Sequence, residues 1–453
     1  MIATQHSRET EVSHPYLKKF ERMEKKRSNN SPAWVFPVRK AALARFAETG
    51  LPTLRDEDWR YTNVSPIANL HFDPISEAAS SPLSPQSLDQ FAFAKTNACR
   101  MVFFNGCFSP ALSLLPPQGS GIKIKSLAAA LCEDAAFLES HFGKYAEAAD
   151  NAFAALNTAF FHDGAFIHAP AGSVLKEPIL VLFISTDTEH GNTTHPRNLI
   201  IAEAGAHLTV IESYVRTTEA AYVTNVLTEV ALGEGAKVEH CKFQDESPQC
   251  FHIASLHARL GPGCNFAAHS ISTGARLARN NMRIHLAGEG SDCILNGLYL
   301  TKNDQLCDHH MIVEHAKPHC NSHEYFNGIL DGKSRGVFHG RILVRPEAQK
   351  TDAKQTNKNL LLSDDATANT KPQLEIYADD VKCTHGATIG QLNPESIFYL
   401  RARGIGHETA RRMLIHAFAG EIIDRIQCDP VREELDGLIW DRLERNPLVA
   451  EMR

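Results

Sequence analysis

The middle of the chain alternates short β-branched runs with tight turns, and this pattern recurs over much of its length. Segments such as HLTVIESY (207–214) and KVEHCKF (237–243) alternate apolar with polar residues. Such alternation is typical of strands with one face inside the fold and the other toward solvent. The turns share a glycine beside small or polar residues, at Gly172, Gly205, Gly235, Gly263 and Gly290. These glycines lie 33, 30, 28 and 27 residues apart, which indicates a structural repeat.

Turn segments that resemble these but lack the glycine continue the repeat at Pro318, near Glu347 and near Asp380. Short strands, tight turns and no helical period between them favour a β-solenoid whose coils stack into parallel sheets. Glycine suits the turns because it adopts a positive φ without steric cost. An irregular β-sandwich is the alternative, but sandwiches usually carry turn signals about every 8 to 12 residues.

The segments before and after this repeat region show helical patterns, so three domains are predicted. Residues 1–160 form a mainly helical N-terminal domain with some sheet, including a strand at 101–104. Its segment after Gly50 is extended, with Trp59 and Tyr61 placed to pack on something larger. Residues 161–392 form the β core, and residues 393–453 form a C-terminal helical domain that begins with the capping pair Asn393-Pro394.

The second helix of the C-terminal domain, HETARRMLIHAFAGEIIDRI, is expected to be amphipathic. A helical projection predicts that one side carries Leu414, Ala417, Phe418, Glu421, Ile422 and Arg425. With about 60 residues, this domain needs to rest on the solenoid or on a partner to be stable.

Composition excludes several classes of function. The 453 residues include 46 basic and 53 acidic side chains, and a net charge of −7 argues against sequence-independent nucleic-acid binding. The sequence shows no secretory signal and no apolar run of about 18 residues, so we expect a cytoplasmic protein. Its 11 cysteines form no C-x-x-C pair and are expected to be reduced. No phosphate-binding loop or nucleophile elbow is present, so ATP binding by this chain is not expected.

One segment is rich in potential metal ligands, CDHHMIVEHAKPHCNSHEYFNG. It contains Cys307, His309, His310, His315, His319, Cys320 and His323. On strands these side chains alternate faces, so dispersal across the coil is favoured over a dedicated metal site. Two functions stay open at this point: a metal carrier that uses this segment, and a carbohydrate-active β-solenoid enzyme, which would need converging carboxylates.

The last predicted strand carries a thiol and an imidazole two residues apart, Cys383 and His385. On a strand that spacing places both side chains on the same face. From spacing alone, an interior cysteine beside a hydrogen-bonded histidine is favoured over a reactive pair.

The surrounding sequence, KPQLEIYADDVKCTHGATIGQLNPESIFYLRARGI (371–405) followed by ETARRMLIHAF, closely resembles the SufB/SufD family of iron–sulfur cluster assembly proteins. The segment LRDEDWRYTNVSPI (54–67) resembles the family's N-terminal region. The resemblance implies a mainly β fold, a right-handed parallel β-helix flanked by N-terminal and C-terminal helical domains. It implies a non-catalytic scaffold subunit rather than an enzyme.

The resemblance also implies partners and sites. The chain would pair through its β-helix with a SufB-like paralogue, and His385, with Cys383 beside it, would take part in cluster assembly at that interface. His385 would be a metal ligand shared with the partner. A SufC-like ABC ATPase would dock on the C-terminal helices, for which the candidate contacts are Phe398, Tyr399, Arg401, Arg403, Arg411 and Leu414.

One departure limits the role of this chain. The SufB paralogue carries a cluster-assembly cysteine about one coil before the C-x-H motif, whereas the corresponding stretch here, QTNKNLLLSDD, has none. The chain is therefore expected to hold no tightly bound cofactor by itself and to meet iron or a cluster transiently in the complex. Flavin binding in the complex, and homodimer formation by symmetric edge pairing when the partner is absent, stay open.

Overall fold

The computed structural model describes residues 16–25, 31–70, 73–74, 83–95, 99–116, 121–146, 151–186 and 192–445. The fold is mainly β, a solenoid of about eight turns with helices at both ends, as the repeat predicted. None of the described helices is long and apolar enough to cross a membrane.

Helices occupy the two ends of the chain. The N-terminal helices are α1 (16–25), α2 (Val35–Thr49), α3 (Ser65–Ala68), α4 (Leu127–Glu133), α5 (Ala135–His141) and α6 (Ala152–Phe160). The C-terminal helices are α7 (Pro394–Arg401), α8 (His407–Ile423) and α9 (Asp429–Arg445). Short 3-10 helices lie at Glu57–Trp59, Pro85–Gln90 and Pro110–Leu112.

The strands of the solenoid alternate between two sheets and run parallel within each, because each coil contributes one strand to each sheet. Two short strands near the N-terminal end pair antiparallel with their neighbours. Sheet A contains β1 (Asp73–Pro74), β4 (Lys123–Ser126), β5 (Ala165–Ala169), β7 (Asn192–Thr194), β8 (Arg197–Ala202), β10 (Val223–Leu232), β12 (Phe251–Leu260), β14 (Leu277–Leu286), β16 (Leu306–His315), β18 (Arg335–Val344) and β20 (Thr367–Ile376). Sheet B contains β2 (Cys99–Phe104), β3 (Cys107–Phe108), β6 (Ile179–Ser185), β9 (His207–Arg216), β11 (Lys237–Asp245), β13 (Asn265–Ser272), β15 (Asp292–Thr301), β17 (Asn321–Leu330), β19 (Asp352–Leu361) and β21 (Lys382–Gly390). The strand predicted at 101–104 is β2, which pairs with β6.

The glycine turns form a column along the solenoid, as predicted. The five glycines that define the repeat have φ between 58° and 71°. The backbone N–H of each donates to a carbonyl in the next turn, for example Gly205 to Glu234. His319 and Lys350 continue this column with φ of 57° and 63°. These two residues occupy the glycine position in the turns predicted near Pro318 and Glu347.

The predicted alternation between an interior face and a solvent face is wrong for the central coils. Nearly every residue of β9 to β12 is buried, because other elements cover the outer faces of both sheets. Residues of α2 and α6 pack outside sheet A, in one apolar cluster with Val223 and Ile253. Residues of α8 and α9 pack outside sheet B, with Cys241 and Phe243.

The apolar stripe predicted for α8 is only partly correct. The buried residues of this helix are Ala410, Ile415, Ala419, Ile422 and Ile423. Leu414 and Phe418 are only half-buried. The buried side differs because α8 packs on sheet B and on α9 at once, so two contacts set its orientation.

Candidate functional site at the open end of the solenoid

The solenoid ends at two edge strands, β20 in sheet A and β21 in sheet B. Within the described part of the chain, each pairs with a strand on one side only, β18 and β19 respectively. Apolar side chains are exposed beside these edges: Ile376 is 39% exposed, Tyr377 61% and Ile389 49%. A row of unpaired backbone groups beside exposed apolar side chains is a template for pairing with another strand.

The register of β21 on β19 shows which of its side chains belong to the solenoid interior. Cys383, His385, Ala387 and Ile389 lie opposite the buried residues Ala353, Gln355, Asn357 and Asn359. The expectation that Cys383 and His385 share a face therefore agrees with this register. The next coil is missing, so His385 is exposed and Cys383 is half-buried. Burial, and secondarily the Asp352 carboxylate, raises the pKa of the Cys383 thiol.

A column of interior side chains leads to His385. Glu324 on β17, Gln355 on β19 and His385 on β21 are successive partners in the register. The Gln355 Nε2 donates a 2.6 Å hydrogen bond to the Glu324 carboxylate. Gly340 leaves space for that amide, since a Cβ there would lie 2.1 Å from Nε2. Sequence reasoning missed this column, although its members are 31 and 30 residues apart, the spacing of the repeat.

Glu324 makes the stability of the chain depend on pH. Burial raises the pKa of this carboxyl from 4.5 to about 8, a rise that the Gln355 hydrogen bond opposes. Because the folded pKa exceeds the unfolded one, the unfolded chain ionises first, and stability falls as pH rises between these values. We expect Glu324→Gln to raise the free energy of unfolding by up to about 5 kcal/mol at pH 9 and to change it little at pH 4.5.

Urea unfolding of both proteins across this pH range measures the difference. The surface variant Glu421→Gln, at a carboxylate that is 48% exposed, serves as control and should not show the gain at pH 9. A constant difference between Glu324→Gln and the wild type from pH 4.5 to 9 would contradict the assignment of a neutral, buried carboxyl.

The histidine-rich segment does not form a cluster of its own. His309 points into the solenoid, where Nε2 lies 3.2 Å from the Ser270 hydroxyl. His315 is also buried, 2.8 Å from the Ser322 hydroxyl, whereas His323 is on the outer face of sheet B. The strands therefore distribute these side chains over different faces of the coil, as predicted.

The candidate ATPase contacts lie on and around α7, which buries none of its residues. Phe398 is 75% exposed and Tyr399 56%, and the Arg403 guanidinium stacks 3.5 Å from the Tyr399 ring centre. Arg401 is exposed, while Arg411 and Leu414 on α8 are half-buried. Exposed aromatic side chains bordered by arginines are typical of protein-binding surfaces.

Comparison with known proteins agrees with this architecture. The profile described as "SUF system FeS cluster assembly, SufBD core domain" matches residues 183–418, and "SufBD protein N-terminal region" matches residues 10–181. The chain is 33% identical to the iron-sulfur cluster assembly protein SufD of Escherichia coli over 90% of this chain and 93% of that protein. It is 34% identical to an iron-sulfur cluster assembly SufBD family protein of Synechocystis, over 86% of each chain. It is 30% identical to the chloroplastic protein ABCI7 of Arabidopsis thaliana, over 88% of this chain and 84% of that one. The chain therefore belongs to the SufBD family of iron–sulfur cluster assembly proteins.

Proposed function

We propose that this chain is the SufD-like, non-catalytic scaffold subunit of an iron–sulfur cluster assembly complex. Its β20 and β21 edges pair with a SufB-like paralogue, and its C-terminal helices dock a SufC-like ABC ATPase. The observation that carries the proposal is the open end of the solenoid, where both sheets end in exposed edge strands beside His385 and Cys383.

The chemistry of the open end supports a shared site rather than a complete one. Imidazole and thiolate are both iron ligands, but two groups are fewer than a cluster requires. The paralogue therefore supplies the remaining ligands across the interface. Iron and the nascent cluster are cargo in this proposal, and movement of the two rigid solenoids by the ATPase opens and closes the site.

ATPase docking is supported by the exposed face of α7. Phe398 and Tyr399 are not covered by any described helix, and Arg401 and Arg403 supply charge at the rim. Aromatic and arginine side chains in that arrangement are common anchors of protein interfaces. The ATPase activity belongs to the partner in this proposal.

The proposal is tested by anaerobic cluster formation on the complex of this chain co-expressed with the SufB-like and SufC-like subunits. We expect His385→Ala to lower the cluster content by at least about tenfold, since loss of groups that support a metal site costs about 10–100-fold. The complex itself should still assemble, because His385 is exposed and carries no fold-stabilising burial.

Thr384→Ala is the matched control, because Thr384 is exposed on the same strand but on the opposite face. It should leave the cluster content unchanged. A normal cluster yield on an intact complex that carries His385→Ala would rule out the role of His385 and leave the chain a purely architectural one.

A further inference from the structure

A second group of potential metal ligands lies on the outer face of sheet A, one strand in from the β20 edge. Asp58, His310 and His339 each offer one ligand atom, and these three atoms lie within 4.8 Å of one another. His310 on β16 and His339 on β18 are direct partners in the register, and their ring centres are 4.3 Å apart. The Asp58 carboxylate lies 3.7 Å from His310 Nε2.

The fold holds Asp58 over the two histidines through a buried contact network. Arg279 Nη1 donates a 2.8 Å hydrogen bond to the Asp58 backbone carbonyl. The same guanidinium stacks 3.7 Å from the Trp59 ring centre and forms a buried ion pair with Asp308. The Thr62 hydroxyl also donates to Asp308. The N-terminal segment is thus fixed on the sheet at this point, which places the carboxylate reproducibly.

Both imidazoles have hydrogen-bonding capacity that the described residues do not use. His310 is 7% exposed and His339 is 8% exposed. Among the described residues, neither His310 Nδ1 nor His339 Nε2 has a hydrogen-bond partner. His339 does bond the Gln373 side chain, which orients the ring and leaves the buried Nε2 available. A histidine held by an outer amide or carboxylate through one nitrogen is typical of metal ligands.

The positive side chains around the site are neutralised by carboxylates. The three neighbouring cations are each paired, Arg279 with Asp308, Lys371 with Glu57 and Arg341 with Glu375. The Asp58 carboxylate is then the one charge left over, so these seven groups carry a net charge of −1.

We propose that Asp58, His310 and His339 form a binding site for one divalent first-row transition-metal ion, such as Fe²⁺ or Zn²⁺. Two imidazoles and one carboxylate are a ligand set that such ions take, with the remaining positions open to water or another ligand. Asp58 is 56% exposed, so the site opens to solvent on its side. The site does not depend on the proposed function, since it uses neither His385 nor Cys383, although His339 lies beside the edge strand β20.

Anaerobic titration of the full-length chain with Co²⁺, followed by visible absorption, tests the proposal. Competition with Zn²⁺ and Fe²⁺ then ranks the three ions by affinity. The titration is made in a Cys383→Ser/His385→Ala background, which removes the ligands of the open end. We expect one equivalent to bind, and Asp58→Asn, His310→Gln and His339→Gln each to weaken binding by at least about tenfold. Gln373→Ala, which removes only the orienting contact, should weaken binding by about 10–100-fold.

Controls separate the site from general surface binding and from misfolding. Asp56→Asn changes an exposed carboxylate in the same turn, and His323→Ala removes an outer-face imidazole of sheet B that pairs with Asp352. Both should bind Co²⁺ as the parent does. Asp58 is exposed, so Asp58→Asn should keep the parent's thermal unfolding curve while losing affinity. Absence of stoichiometric binding by the parent, or equal affinity in the Asp58, His310 and His339 variants, would overturn the proposal.

Discussion

Replacing Arg197 with methionine is expected to lower the free energy of unfolding by about 3–5 kcal/mol. The side chains of Arg197 and Glu229 are fully buried and form an ion pair between β8 and β10. Removing the guanidinium leaves the Glu229 carboxylate buried without its counter-charge, and that desolvation penalty causes the loss.

The same pair connects the N-terminal domain to the solenoid. Arg197 Nη1 donates to the Thr158 hydroxyl of α6 at 2.9 Å. The Glu229 carboxylate accepts three backbone N–H groups, from Gly143 at 3.0 Å, Tyr145 at 3.0 Å and Ala146 at 3.1 Å. Loss of Arg197 should therefore loosen residues 142–146 as well as lower stability.

Urea unfolding and limited proteolysis measure these two effects. Arg345→Met is the matched control: Arg345 pairs with Glu314 but is 48% exposed, so a change of about 0–1 kcal/mol is expected. The double variant Arg197→Met/Glu229→Gln should recover part of the loss, because no unpaired charge stays buried. A cost below about 1 kcal/mol for Arg197→Met would show that the pair does not support the fold.

The second large effect is expected at the open end of the solenoid. The double variant Ile376→Lys/Ile389→Lys should weaken binding to the SufB-like paralogue by at least about 30-fold, the effect of losing a hot spot worth about 2 kcal/mol. Both isoleucines are exposed at the edges, and lysine on an edge strand opposes strand pairing. Binding titrations with purified subunits, followed by light scattering, measure this loss.

The controls distinguish the two proposed surfaces. Val174 is 60% exposed at a turn near the other end of the solenoid, so Val174→Lys adds charge without touching the edges and should bind normally. The edge variant should still bind the ATPase, whereas Phe398→Ser should lose the ATPase and keep the paralogue. If the chain alone forms a dimer, the edge variant should be monomeric. Full affinity of the edge variant for the paralogue would place the interface elsewhere.

Much of the fold could be predicted because one residue type marks each turn. A positive φ favours glycine, so the turns at Gly172 to Gly290 are visible as a spacing in the sequence. His319 and Lys350 adopt the same φ through hydrogen bonds to the next turn, and their residue types give no such signal. The repeat is therefore clear in the first coils and faint in the last ones.

The outer faces of the sheets could not be predicted from alternation. A strand pattern shows which residues face the interior, but covering of the other face depends on helices that are distant in the sequence. The Asp58, His310 and His339 group shows the same limit, because it joins residues about 250 positions apart through docking of the N-terminal segment. The column of Glu324, Gln355 and His385 could have been predicted from the sequence, since the repeat spacing alone aligns its members.

Assignment to iron–sulfur cluster assembly depended on the resemblance of the C-terminal motif rather than on physical reasoning. The two-residue spacing of Cys383 and His385 predicts that they share a face of the strand, but it does not predict a reaction. The structure adds the physical context, an interior face that becomes exposed because the solenoid stops there.

Hydrogen–deuterium exchange of this chain, alone and mixed with the SufB-like paralogue, tests the central claim most directly, because it reports on the backbone amides of the edge strands. Our account predicts that amides in 367–376 and 382–390 exchange more slowly in the mixture, while those of β9 to β12 are unchanged. Slower exchange elsewhere on the solenoid, with 367–390 exchanging as fast as in the chain alone, would contradict it.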